Sequence, residues 1–174
     1  MAMELAMTAM LGVGAAGMML ADGERRRIRY VQAMRRCLLR MHEIIRFEQP
    51  ELTGLLRRID MRTTREEREL TRILHACADR LANCVSPRLA LLYAGESAKI
   101  PGYGVLSEED REAFEWILSG LGACGLGEQL RMIDEADERL RRREAALDQE
   151  SAQRARMIRT LGLSGGAALF LILI

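Results

Sequence analysis

Residues 22–48 read DGERRRIRYVQAMRRCLLRMHEIIRFE, with no proline and, after Gly23, no glycine. Tyr30, Val31, Met34, Cys37, Leu38, Met41, Ile44 and Ile45 recur there at three- and four-residue spacing, which gathers them on one face of a 3.6-residue helix. The pattern predicts an amphipathic helix continuous with the apolar run before it. Gln49-Pro50-Glu51 interrupts it, and Pro50 is expected at the first position of a second, short helix carrying Leu52, Leu55, Leu56 and Ile59, where its missing N–H costs nothing. Thr64-Arg65-Glu66-Glu67 has capping-box spacing and opens a third helix with the stripe Leu70, Ile73, Leu74, Cys77, Leu81, Cys84. Ser86-Pro87 breaks it, residues 89–94 form a short fourth helix, and AKIPGYGV (98–105) reads as a loop dividing the domain in two. Ser107-Glu108-Glu109-Asp110 caps a fifth helix bearing Phe114, Trp116, Ile117 and Leu121, with acids at its positive end. After Gly120, Gly122, Gly125 and Gly127, residues 128–159 form a long charged helix with Ile133, Leu140 and Leu147 seven apart. The expected fold is all-α, an antiparallel bundle of about six helices.

Composition agrees with that reading. With 174 residues, 49% hydrophobic and 29% charged, the chain suits one domain; 4% aromatic residues and three prolines give a sandwich or barrel little material. A formal charge of +1 removes the bulk electrostatic argument for nucleic acid. The apolar residues concentrate at the ends: LAMTAMLGVGAAGMMLA (5–21) and TLGLSGGAALFLILI (160–174) carry no charge. As helices they reach roughly 25 and 22 Å, close enough to a hydrocarbon core of about 30 Å to span it with snorkelling flanks or local thinning. The first lacks the basic start and small-residue cleavage site of a signal peptide, so it is expected to be retained. Arg25, Arg26, Arg27 and Arg29 follow the first run and Arg154, Arg156 and Arg159 precede the second, which sets the middle on the cytoplasmic side. The expected domains are an N-terminal span at 1–21, a cytoplasmic bundle at 22–159 and a C-terminal span at 160–174. Small residues (Gly12, Ala16, Gly162, Gly166) would let the spans approach each other or a partner.

Candidate chemistry is sparse. His75, Cys77 and Cys84 are the densest grouping of metal-ligand types, but His75 and Cys77 point about 200° apart on one helix and Cys84 lies two turns on, so no metal site is expected. Cys37, Cys77 and Cys84 fall on apolar stripes, where thiols pack as small hydrophobes. No phosphate-binding loop, nucleophile elbow or zincin motif is present, and Glu108-Glu109 and Asp134-Glu135 read as solvated or capping acids, so neither catalytic residues nor a cofactor are expected. Arg139, Arg141, Arg142 and Arg143 are either a solvated face or a site for lipid headgroups or an acidic partner. Glu43, beside Ile44 and Ile45, either pairs with an arginine of a neighbouring helix or points outward.

Arg27 and Arg29 after the first run, Glu43-Ile44-Ile45 followed by Pro50, and Met157-Ile158-Arg159-Thr160-Leu161-Gly162 leading through Gly166 into Leu171-Ile172-Leu173-Ile174 occur in an order that resembles the stage III sporulation protein AB family. The resemblance runs over essentially the whole chain. The chain departs from it at Phe47, one place later than the family's usual tyrosine, and at 121–127, where LGACGLG replaces a longer polar stretch. The resemblance implies a membrane component of the complex linking mother cell to forespore, needed for forespore development after engulfment and seated in the mother-cell membrane around the forespore. It implies a six-helix bundle similar to the type II secretion inner-membrane platform protein F. The implied partners are the secretion-type ATPase of the sporulation complex and its channel-ring proteins, beside membrane lipid; whether the chain also forms a homo-oligomer is left open by the sequence. It implies structural roles for Glu43, Pro50, Leu161, Gly162 and Gly166. Two other readings stand beside it: a platform subunit of a type II secretion or type IV pilus-like machine, whose proteins usually duplicate this domain, and a generic two-span membrane scaffold.

Overall fold

A computed structural model describes the backbone of residues 2–83 and 88–173, and the side chains of 22–83, 88–154, 156 and 157. Among these, every regular element is helical: α1 (Ala2–Glu48), α2 (Leu52–Arg58), α3 (Arg65–Asn83), α4 (Leu89–Ser97), a 3₁₀ turn (Pro101–Val105), α5 (Glu108–Gly120) and α6 (Leu126–Leu173). The apolar stripe of α1 is the centre of the core, with Tyr30, Val31, Met34, Cys37, Leu38 and Met41 fully buried. α6 returns antiparallel along α1 and buries Ile133, Ala136, Leu140 and Leu147 against it. Polar pairs flank that seam: Arg154 with Glu24, Arg35 with Glu144 (2.7 Å) and Asp137 (2.9 Å), and His42 with Asp134 (3.6 Å).

Pro50 does not start α2. Glu48 ends α1, Gln49 takes the left-handed conformation at φ 43°, and Glu51 is the N-cap residue whose carbonyl accepts from the Leu55 N–H at 2.8 Å. Proline beyond a left-handed terminal residue is a helix stop, because it has no N–H with which to continue the ladder. The capping box predicted at α3 is formed, and the cap predicted at α5 is a box as well. Thr64 Oγ1 accepts from the Glu67 N–H (3.2 Å) while Glu67 Oε2 accepts from the Thr64 N–H (3.0 Å), and Ser107 and Asp110 repeat the exchange at α5.

The segment expected to be a dividing loop is instead packed into the bundle. Tyr103 is buried, its ring edge-on to Tyr30 (5.8 Å) and Tyr93 (5.9 Å), and the two hydroxyls of Tyr93 and Tyr103 hydrogen-bond at 2.8 Å. Tyr93 also meets Phe114 at 5.4 Å, so one aromatic cluster joins α1, α4, α5 and the 3₁₀ turn. Gly102 permits this docking: a Cβ there would fall 1.9 Å from Arg26 Nη2 and 2.7 Å from the Tyr30 hydroxyl. α4 correspondingly runs to Ser97, beyond the expected residue 94.

Candidate interaction site

The conspicuous polar chemistry of the molecule lies where α3 and α5 begin against α1. The acids of the first turns of α3 are buried, and each meets an arginine of α1: Glu66 with Arg29 (3.0 Å), Glu67 with Arg36 (2.5 Å), Glu69 with Arg26 (3.4 Å). Glu69 also accepts from the Tyr30 hydroxyl and from Arg65 (2.9 Å). Asp110, with no exposed surface, accepts from Arg27 Nε at 2.5 Å and from Arg143 Nε at 2.8 Å, tying α1, α5 and α6 together. Burial pushes the carboxyls of Glu67, Glu69 and Asp110 up, but the hydrogen bonds and positive charges around them outweigh it, and all three lie below the ordinary carboxylate value. Burial, reinforced by Glu69, pushes the Tyr30 hydroxyl well up.

Of the arginines flanking the first apolar run, Arg26, Arg27 and Arg29 are therefore bonded within the domain, while Arg25 is exposed. Arg154 pairs with Glu24, which brings the arginines after the first run and before the second to the same end of the bundle. Arg156 is exposed. Glu43 points outward and pairs with Arg40 of its own helix at 3.0 Å, the i,i+3 geometry, and not with a neighbouring helix. The arginine group of α6 is divided among several tasks: Arg139 lies over the Trp116 ring at 4.7 Å and pairs with Glu135, Arg141 and Arg142 share Glu138, and Arg143 reaches Asp110. Arg159, Leu161, Gly162 and Gly166 lie outside the residues whose side chains are described, as does Cys84. His75 is engaged with the Ile59 carbonyl (2.9 Å) and Cys77 is buried, its thiol pushed up to about 11 by desolvation. Among the described residues no three His, Cys, Asp or Glu are grouped to hold a metal ion.

At the opposite end, where α1 ends and α6 begins, an apolar groove of about 1060 Å³ opens between α1, α2, α4, α5 and the start of α6. Its walls include Ile45, Leu52, Leu55, Leu91, Leu121 and Leu126, with Glu51 and Arg88 at its polar positions. Sequence reading missed this groove, since its lining comes from five segments whose individual patterns are those of ordinary core faces. It also missed that the capping acids are buried partners of α1: the spacing of Glu66, Glu67 and Asp110 signals caps but carries no information on which arginines they meet.

The described residues thus form an all-helical bundle whose ionic groups join helix to helix, with an apolar groove at one end. Its sequence matches the family model of stage III sporulation protein AB over residues 4–174, so the chain belongs to that family of structural sporulation proteins. No match was found among curated proteins or among solved structures.

Proposed function

We propose that this protein is a membrane-anchored coupling component of the channel complex between mother cell and forespore, with the bundle on the cytoplasmic side of the mother-cell membrane. The observation that carries the reading is the family match over 4–174, taken with the two uncharged runs at 5–21 and 160–174 that occupy the far ends of the two longest helices. Among the residues whose side chains are described no helix is long and apolar enough to cross a membrane, and both runs lie outside those residues. The domain boundaries that go with this reading are 1–21, 22–159 and 160–174, with Gly162 and Gly166 allowing close packing of the second span. In this reading the bundle is similar to the type II secretion platform protein F and docks with the complex's secretion-type ATPase, and the spans dock with its channel-ring proteins. The protein acts by holding partners together, a role supported by a structure whose buried charge is spent on internal clamps.

The test is in two parts. Fractionation of the full-length protein should place it in membranes and release it only with detergent; a protein that stays soluble without detergent overturns the anchoring. Affinity purification of the tagged chain from detergent-solubilised membranes of sporulating cells, with crosslinking and mass spectrometry, should recover the ATPase and ring proteins. Recovery of pilus or secretion components in their place would move the protein to that machinery.

A further inference from the structure

The last turns of α1 carry an unpartnered face. Leu39 is 50% exposed and Phe47 78% exposed, and with Glu43 and Arg46 they stand at i, i+4, i+7 and i+8, one stripe of the helix pointing away from the core. The groove lies on the other side of the same helix end, lined by Ile45 and by Gln49 just beyond it, and Phe47 is roughly 160° round the helix from Ile45. Knob and groove therefore sit at one level along the bundle but face different ways. The stripe carries Glu43 and Arg46 and the groove carries Glu51 and Arg88, so each surface offers one charge of either sign. The Arg46 guanidinium rides on the Phe47 ring at 5.7 Å without an acidic partner among the described residues, and Glu51 stands exposed at the groove without a cationic one.

The geometry points to a head-to-tail contact between copies of this chain, in which the Leu39–Phe47 stripe of one copy seats in the groove of the next and Arg46 meets Glu51. A contact between different surfaces is heterologous and generates a ring or an open chain. Copies anchored in one membrane share an orientation, so their symmetry axis must run along the membrane normal, and a knob and groove at the same height satisfy that condition. This last step rests on the anchoring proposed above; the knob-and-groove contact does not. Phe47 fills only part of a 1060 Å³ groove, so the occupant is the helical stripe and not the one ring.

The test uses the full-length chain in detergent, with a photo-reactive phenylalanine at position 47 and a mixture of isotopically light and heavy protein. Light–heavy crosslinks from position 47 into 49–55, 88–91 or 118–129 are expected. Phe47→Asp and Ala123→Trp, which respectively spoil the knob and fill the groove, should each reduce the self-associated species at least tenfold. Mixing those two variants should restore dimers and nothing larger, because one intact knob meets one intact groove. A wild-type chain that remains monomeric, or crosslinks that map elsewhere, overturns the proposal. So does a Phe47→Asp chain that associates like the wild type while its circular dichroism is unchanged. Failure of fractionation with these crosslinks present would remove the membrane reading and leave the contact standing.

Discussion

Arg27 and Asp110, 83 residues apart, meet through a 2.5 Å bond between Nε and Oδ2, and Arg143 holds the other carboxylate oxygen at 2.8 Å. Asp110 is also the reciprocal acid of the capping box that starts α5, since its Oδ2 accepts from the Ser107 N–H at 3.0 Å. One carboxylate thus joins α1, α5 and α6.

Asp110→Ala is expected to cost about 3 kcal/mol, because removing one partner of a buried ionic group leaves the others uncompensated, and the cap is lost with it. Urea unfolding of the detergent-solubilised chain, followed by circular dichroism, measures this. Glu138→Ala is the contrast: Glu138 is held down to about 2 by Arg141 and Arg142, yet it is only half-buried and both arginines are exposed, so the change should leave the unfolding midpoint in place.

Stability should fall at both ends of the pH scale. Asp110, Glu67 and Glu69 lie below their ordinary values in the folded state, so their stabilising contribution is complete above the unfolded value near 4 and is lost as pH falls through the folded ones. Tyr30, Tyr93 and Tyr103 are pushed above their ordinary value of 10.0, mainly by burial, so their contribution to stability should be flat below pH 10 and decline above it. A thermal midpoint that does not change between pH 5 and pH 3 would contradict the acid limb. An Asp110→Asn chain with a shallower acid decline than the wild type would support it.

Much of this architecture is written in residue spacing. The period of α1, the boxes at Thr64–Glu67 and Ser107–Asp110, and the heptad of Ile133, Leu140 and Leu147 are local signals, and each is realised. What was illegible is non-local. AKIPGYGV has the glycines and proline of a free loop, and nothing in it announces that Tyr103 will be buried between Tyr30 and Tyr93. Pro50 serves equally well as a first helical residue or a stop, and only the left-handed Gln49 decides. Glu43, followed by two buried isoleucines, faces outward because it lies about 100° round the helix from Ile44 and about 160° from Ile45.

Thiol chemistry should follow burial. Cys37 is fully buried and its thiol is pushed well up by desolvation, whereas Cys124 is half-buried at the turn between α5 and α6. Maleimide labelling of the native chain, read by peptide mass spectrometry, should modify Cys124 before Cys37 or Cys77. Equal labelling of Cys37 under native conditions would mean that the α1 core opens readily.

Gly102 and Gly104 provide an internally controlled test of the 3₁₀ turn. A Cβ at Gly102 meets the Arg26 guanidinium and the Tyr30 hydroxyl, while one at Gly104 meets nothing within 4 Å. Gly102→Ala is expected to destabilise the chain by about 1–3 kcal/mol, the usual cost of overpacking, and Gly104→Ala to change it little. Because the first atom struck is the far end of a flexible side chain, much of the cost should be displacement of Arg26 from Glu69. In an Arg26→Ala background the penalty of Gly102→Ala should therefore shrink, leaving the part due to Tyr30. A penalty of the same size with and without Arg26 would mean that the turn is held off by the tyrosine alone.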